Sequence, residues 1–230
     1  MEDQVYEQIE KVFLSYVSHR IRTPLNSIIG FSKLLLNSEL DPSKKKEFVE
    51  MIMDSGYEIL HYFENILDSS ELDTGMFVPH FRKINLDQVM TGMSGEYEDR
   101  SFSGKLINIR FANLMNDKNT QVITDEFILK RIIQNLIEVL IKNLGKGEIL
   151  VYYNADKDQL IFNVEGHAAN KIQDENIILD DALSNNDKDS LEYLSLKVVK
   201  RMVNILEGKF SIQKNNKKNI VLSVYIPNQL

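Results

Sequence analysis

The sequence predicts an all-α helical hairpin followed by an α+β sandwich. Three observations carry that prediction. Residues 3–73 contain almost no helix breakers and step their apolar side chains at threes and fours. One strong turn signal, Asp41-Pro42, divides that stretch in two. Beyond Ile84 the pattern changes to a helix and two strands, then again a helix and two strands, the grouping of helices on one face of a mostly antiparallel sheet. Domains are expected at 1–76 and 84–230.

The first helix carries Ile9, Phe13, Tyr16, Val17, Ile21, Leu25, Ile28, Phe31 and Leu35 on one stripe. It ends near Asn37, which makes it about 50 Å long. Pro24 lacks a backbone donor and is expected to kink it. Asp41 caps the second helix, with Pro42 at its first position, and Asp73-Thr-Gly75 closes it. Phe48, Ile52, Leu60, Phe63, Ile66 and Leu67 form the second apolar stripe. A lone hairpin leaves an apolar face uncovered, so pairing with a second copy into a four-helix bundle is expected. The competing arrangement is a monomer in which the hairpin packs on its own C-terminal part. In that part, Asp125 caps an amphipathic helix to Asn143, and Gly145 and Gly147 are expected to end it. EILVYYN and QLIFNV read as a hairpin, residues 166–189 as polar and irregular, and Leu191–Leu206 as a helix ended by Gly208. KFSIQK and NIVLSVYI close the domain as a second hairpin.

Composition sets the outer limits. The 230 residues are 43% hydrophobic and 27% charged, which excludes a wholly disordered or collagen-like chain. No apolar run reaches the ~18–20 residues of a spanning helix, and the first residues carry no secretory pattern. With 27 basic and 34 acidic residues, the net charge of −7 argues against nucleic acid as the partner. There is no cysteine, hence no disulfide framework or thiolate zinc site. Of the four histidines, His19, His61, His80 and His167, no two stand at metal-ligand spacing.

Ser18-His-Arg-Ile-Arg-Thr-Pro-Leu25, followed by an apolar run, resembles the phosphoacceptor segment of bacterial sensor histidine kinases, whose pattern is S-H-E-[LI]-R-T-P-L. LDSSELDTGM resembles the usual end of that family's second helix, and the order of C-terminal elements resembles its catalytic, ATP-binding domain of the histidine kinase ATPase type. The resemblance thus covers nearly the whole chain. It implies that His19 is the phosphoacceptor, a neutral ring nitrogen presented to a phosphoryl group. It implies that Thr23, one turn on and on the same face, takes part in dephosphorylating the partner. The partner implied is the receiver domain of a response regulator, docked on Asn26, Ser27, Ile28 and Phe31. On the second helix, geometry suggests the stretch around Tyr57 to Leu60. Arg20 departs from the pattern: it stands where the family has an acid that accepts the histidine proton, and arginine is no base. It still attracts a phosphoryl group and disfavours imidazolium.

The nucleotide motifs depart further. Asn135-Leu-Ile-Glu-Val-Leu-Ile-Lys142 stands against N-L-L-x-N-A-x-K: Asn135 and Lys142 remain, while Val139 replaces the asparagine that would ligate Mg²⁺. Val164-Glu-Gly-His-Ala-Ala-Asn-Lys-Ile172 stands against V-x-D-x-G-x-G-I, with Gly166 at the adenine-binding aspartate. Glu165 is one residue away, and a one-residue slip reverses the face. Tyr193-Leu-Ser-Leu-Lys-Val-Val-Lys200 stands against G-L-G-L-x-I-V-K with both glycines gone. No glycine occurs between Gly166 and Gly208. ATP and Mg²⁺ are therefore expected not to bind usefully.

The expected function is a phosphorelay component, similar to kinase-like histidine phosphotransferases, that moves phosphoryl groups between His19 and a receiver aspartate without autokinase activity. Two alternatives stay open: a non-catalytic pseudokinase scaffold, and a divergent active kinase. Met1 precedes His19 by 18 residues, which leaves no room for a sensor domain. The expected location is the cytoplasm, as a free protein or as the cytoplasmic part of a membrane sensor.

Overall fold

The computed structural model describes residues 2–36, 39–75, 77–98, 106–113, 120–155, 158–169, 191–215 and 219–228. They divide into two compact units, with the boundary inside the second helix between Glu64 and Asn65.

The first unit is the helical hairpin. Helix α1 spans Glu2–Leu35 and continues through Pro24. Helix α2 spans Pro42–Thr74. Asp41 starts α2: its Oδ1 accepts the Ser43 N–H at 2.7 Å and its carbonyl accepts the Lys45 N–H at 3.0 Å. Hydrogen bonds from the Ser43 hydroxyl and backbone hold the Asp41 carboxyl below its ordinary range. Phe31 stacks on Phe48 with ring centroids 5.5 Å apart, which pins the two helices near the turn. Gly75, at φ +65°, takes the left-handed position that ends α2.

The second unit is a sandwich. Strand β1 (Arg82–Asn85) pairs antiparallel with β3 (Gln121–Thr124). Helix α3 (Leu86–Glu98) buries Leu86, Val89, Met90, Met93 and Tyr97 at helical spacing. The main sheet runs β2-β4-β5-β7-β6, from β2 (Leu106–Asn113), β4 (Lys146–Ala155), β5 (Gln159–Ala168), β6 (Lys209–Asn215) and β7 (Asn219–Pro227). All neighbours are antiparallel except β2 and β4. Helices α4 (Glu126–Asn143) and α5 (Leu191–Ile205) pack on each other and on the face built from Ile149, Val151, Tyr153, Leu160, Phe162, Val164, Ile220, Leu222 and Val224. Buried Tyr153 donates to Asp87 of α3 at 2.7 Å, and its phenol is pushed far above the ordinary range, chiefly by burial.

The two expected hairpins and both amphipathic helices are present, and Asp125 caps α4 by accepting the Ile128 N–H at 3.0 Å. Helix α3 and strands β1, β2 and β3 add to the expected set. Gly166, His167 and Ala168 continue β5, so the irregular stretch begins later than expected; from residue 170 to 190 it lies outside the described residues.

Both helix ends in this unit differ from the glycine expectation. Leu144, in extended conformation, ends α4. Gly147 lies inside β4, where an added Cβ would sit 1.9 Å from the His167 carbonyl oxygen; close strand approach demands the glycine there. At the end of α5 the left-handed residue is Glu207, at φ 55°. Its N–H reaches Asn204 O at 3.0 Å and the Gly208 N–H reaches Val203 O at 2.8 Å, the paired bonds of a Schellman motif. Gly208 is kept by proximity, since a Cβ would lie 2.4 Å from Tyr225 O. Glu207→Gly is expected to gain about 0.5–1 kcal/mol in urea unfolding by removing left-handed strain.

Glu126 opens α4 between Lys130 at 2.8 Å and Arg82 at 2.6 Å. The hydrogen bond from Lys130, then the two positive charges, hold its carboxyl below the ordinary range against a small burial cost. A lowered folded pKa stabilises the fold above the unfolded value of about 4.3 and loses that effect as pH falls through the folded value. The pair is surface-lying, worth about 0–1 kcal/mol. Glu126→Gln is expected to cost that much at pH 7 and nothing at pH 2–3 in denaturant titrations.

Candidate functional site

His19 and Thr23 are both exposed on α1, one turn apart, so they share a stretch of helix surface. Arg20 is half-buried and Pro24 is buried. Pro24 supplies no N–H to the Arg20 carbonyl one turn earlier. The Ser27 hydroxyl donates to the Thr23 carbonyl at 3.3 Å. Asn26 is exposed, Ser27 and Ile28 are half-buried, and Phe31 is half-buried against Phe48. Tyr57 is 40% and Leu60 60% exposed. Counting equal helical rises outward from the Phe31–Phe48 contact, Leu60 lies level with His19 and Tyr57 with Arg22. Asn26 to Phe31 lie level with Phe48 to Met53. The hairpin therefore brings Leu60 to the height of the histidine, while the α1 docking positions face an earlier part of α2.

An apolar band remains uncovered on the single chain. Leu25, Ile29 and Leu34 of α1 and Val49, Met53, Tyr57, Leu60 and Phe63 of α2 are all 40–60% exposed.

In the second unit, Asn135 is fully buried on α4. Its Nδ2 donates to Arg131 O at 2.9 Å, and its Oδ1 is buried without a hydrogen-bond partner. Val139, one turn on, is buried; Lys142 is half-buried. Gly166 pairs with Ile149 of β4 and Ile220 of β7, both on the helix-covered face. A Cβ there would meet methyl groups of Leu144 and Leu140 at 3.1–3.3 Å. Glu165 projects from the opposite face, where Tyr152 Oη lies 3.4 Å and His167 Nε2 3.3 Å from its carboxylate. Ser195, at the second glycine position of the third segment, is buried and accepts a hydrogen bond from Asn65 Nδ2 at 3.1 Å.

Asn65 belongs to a polar seam that the sequence does not announce. Asp68 of α2 receives Arg131 Nε at 2.9 Å and Nη2 at 2.5 Å, with both side chains buried. Asp73 pairs with Arg201 of α5. These partners are separated by 63 residues or more, so no local pattern links them. No described helix is long and apolar enough to cross a membrane.

Residues 10–75 match the His Kinase A (phospho-acceptor) domain. Over 230 residues, 94% of this chain, the sequence is 30% identical to the autoinducer 2 sensor kinase/phosphatase LuxQ of Vibrio vulnificus, spanning 26% of that protein. Over 146 residues it is 32% identical to the signal transduction histidine-protein kinase BarA of Escherichia coli K12, covering 62% of this chain and 15% of BarA. The fold matches histidine kinase ThkA, solved in complex with response regulator protein TrrA, with a TM-score of 0.62 at 18% identity over 98% of this chain and 64% of that one. This chain, spanning about a quarter or less of those sequence relatives, carries a His Kinase A phospho-acceptor domain and is a homologue of the sensor histidine kinases.

Proposed function

We propose that the chain works in two-component signal transduction as a phosphorelay element that exchanges phosphoryl groups between His19 and a receiver aspartate, without phosphorylating itself from ATP. The observation that carries this is the contrast between the two units. The phosphoacceptor turn is complete apart from Arg20, and His19 is open to solvent. The nucleotide positions are closed by the chain's own side chains.

The donor set does not fit a Mg²⁺–nucleotide. Val139 offers no oxygen where the family places a metal ligand. The space beside Gly166 that an adenine-binding carboxylate would use lies against Leu140 and Leu144. Glu165 cannot stand in, because strand alternation sends it to the other face of the sheet. Ser195 carries a side chain and a hydrogen bond where the family's backbone is bare.

Transfer at His19 needs little from the protein. A neutral imidazole nitrogen attacks the acyl phosphate of a phosphorylated receiver. The N–P bond forms as the acyl P–O bond breaks, the aspartate carboxylate leaves, and the ring N–H proton passes to solvent. Arg20 supplies positive charge beside the incoming phosphoryl group. Thr23 is placed to hold water on the same surface, which supports a role in dephosphorylation. The uncovered apolar band supports a homodimeric four-helix bundle, and Asn26 to Phe31 with Tyr57 and Leu60 are the docking positions proposed for the receiver.

Two measurements test this together. Titration calorimetry with MgATP and MgADP is expected to show no heat at high micromolar nucleotide. Incubation with receiver domains pre-phosphorylated by a small-molecule phosphodonor is expected to yield acid-labile phosphate on the chain. Low-micromolar nucleotide binding would overturn the first half in favour of an active kinase. Tight receiver binding with no transfer would leave the scaffold alternative, which Arg20 accommodates equally well.

A further inference from the structure

The carboxyl-terminal part of α2 belongs structurally to the sandwich. Its polar side chains land on the α4–α5 surface at positions the nucleotide motifs would occupy. Asn65 bonds Ser195, the residue standing at a glycine of the third segment. One turn later, Asp68 receives two donors from Arg131, itself one turn before Asn135 on α4. Farther along, Asp73 pairs with Arg201 of α5. Asn65, Asp68, Arg131 and Ser195 are each less than a tenth exposed. One helical segment thus bridges both helices that a phosphoanhydride ligand would have to reach.

We infer that Asn65–Thr74 of α2 is a built-in plug of the α4–α5 face, held by the Asn65–Ser195, Asp68–Arg131 and Asp73–Arg201 pairs. This deepens the proposal that the domain does not take nucleotide and rests on it. The plug has two physical consequences. It neutralises Arg131, a buried guanidinium that would otherwise attract anions to that face. It also ties α4 to α5 through protein atoms, which gives the domain a fixed α4–α5 arrangement without a ligand between the helices.

Hydrogen exchange on the full chain tests the inference. Asp68→Asn keeps the shape of the side chain and removes its charge. It is expected to speed amide exchange in residues 128–136 and 193–199 about tenfold, with strands β4, β5 and β7 unchanged. Asn65→Ala with Asp73→Asn is a milder pair that leaves Asp68–Arg131 intact, and it is expected to act in the same direction on 193–201. The exchanged pair Asp68→Arg with Arg131→Asp is expected to recover protection relative to Arg131→Asp alone. Unchanged exchange in both the Asp68→Asn and the milder variant would overturn the plug. So would a uniform loss of protection across the sheet, the signature of a merely structural role. Protection of residues 135–142 of the unaltered chain by MgADP is a separate outcome: it refutes the nucleotide-free function while the variant series still reports on the seam.

Discussion

A His19→Gln variant is expected to accept no phosphoryl group from a phosphorylated receiver while folding and associating as the unaltered chain does. The chemical reason is that a glutamine amide has the reach of imidazole but no nucleophilic lone pair on nitrogen. The structural reason is that His19 is exposed, so replacing it leaves no cavity and orphans no buried partner. Glutamine is also an adequate helix former, and α1 is continuous through this position. Radiolabel transfer read beside sedimentation and circular dichroism separates the chemical loss from any structural one. Residual labelling of the variant at the original level would place the acceptor elsewhere and end the proposal for His19. Arg20→Glu is the informative companion. It restores the family's acid, yet it is expected to give no labelling from ATP, because the obstacle lies in α4, β5 and α5 and not beside the histidine.

How far the sequence could be read depended on how local each cause was. Asp41 and Gly75 delimit α2 because cap chemistry acts within a turn of the residue that supplies it. The four C-terminal strands were legible from alternation, since one face of each is covered by helices. Strand β2 was not, because its partner β4 lies parallel and some forty residues away. Helix α3 was hidden for a different reason: Gly92 and Gly95 lower its intrinsic preference, and its burial against the sheet compensates. The left-handed position after α5 fell on Glu207 because Gly208 is needed where the chain passes Tyr225. The same division runs through the candidate site. His19, Thr23 and Pro24 were legible because their motif is contiguous. The seam of Asn65, Asp68, Arg131 and Ser195 was not, because buried polar pairs form between elements that only the fold brings together.

Restoring the aspartate that the family carries at Gly166 is expected to damage the domain and bring no nucleotide binding with it. Pairing with Ile149 and Ile220 fixes Gly166 on the covered face of the sheet, where an added Cβ alone would stand 3.1–3.3 Å from the Leu140 and Leu144 methyls. Gly166→Ala asks those leucines to shift by a few tenths of an ångström, and a loss of about 1 kcal/mol is expected. Gly166→Asp adds a carboxylate to an apolar wall. Either it ionises without a partner or it protonates at a raised pKa, and both cost stability. A loss of about 3–5 kcal/mol is expected at pH 7, shrinking toward pH 4 as protonation becomes easier. The sign follows from the pKa: a carboxyl raised on folding binds its proton more tightly in the native state, so rising pH destabilises the fold. Against a total stability of about 5–15 kcal/mol the variant would be marginal near neutrality, which urea unfolding at two pH values resolves. The opposite outcome is equally clear. A Gly166→Asp chain as stable as the original and newly able to bind MgADP would mean that Leu140 and Leu144 yield to a ligand. The closed α4–β5 wall would then be a conformational state of an ATP site and not its replacement.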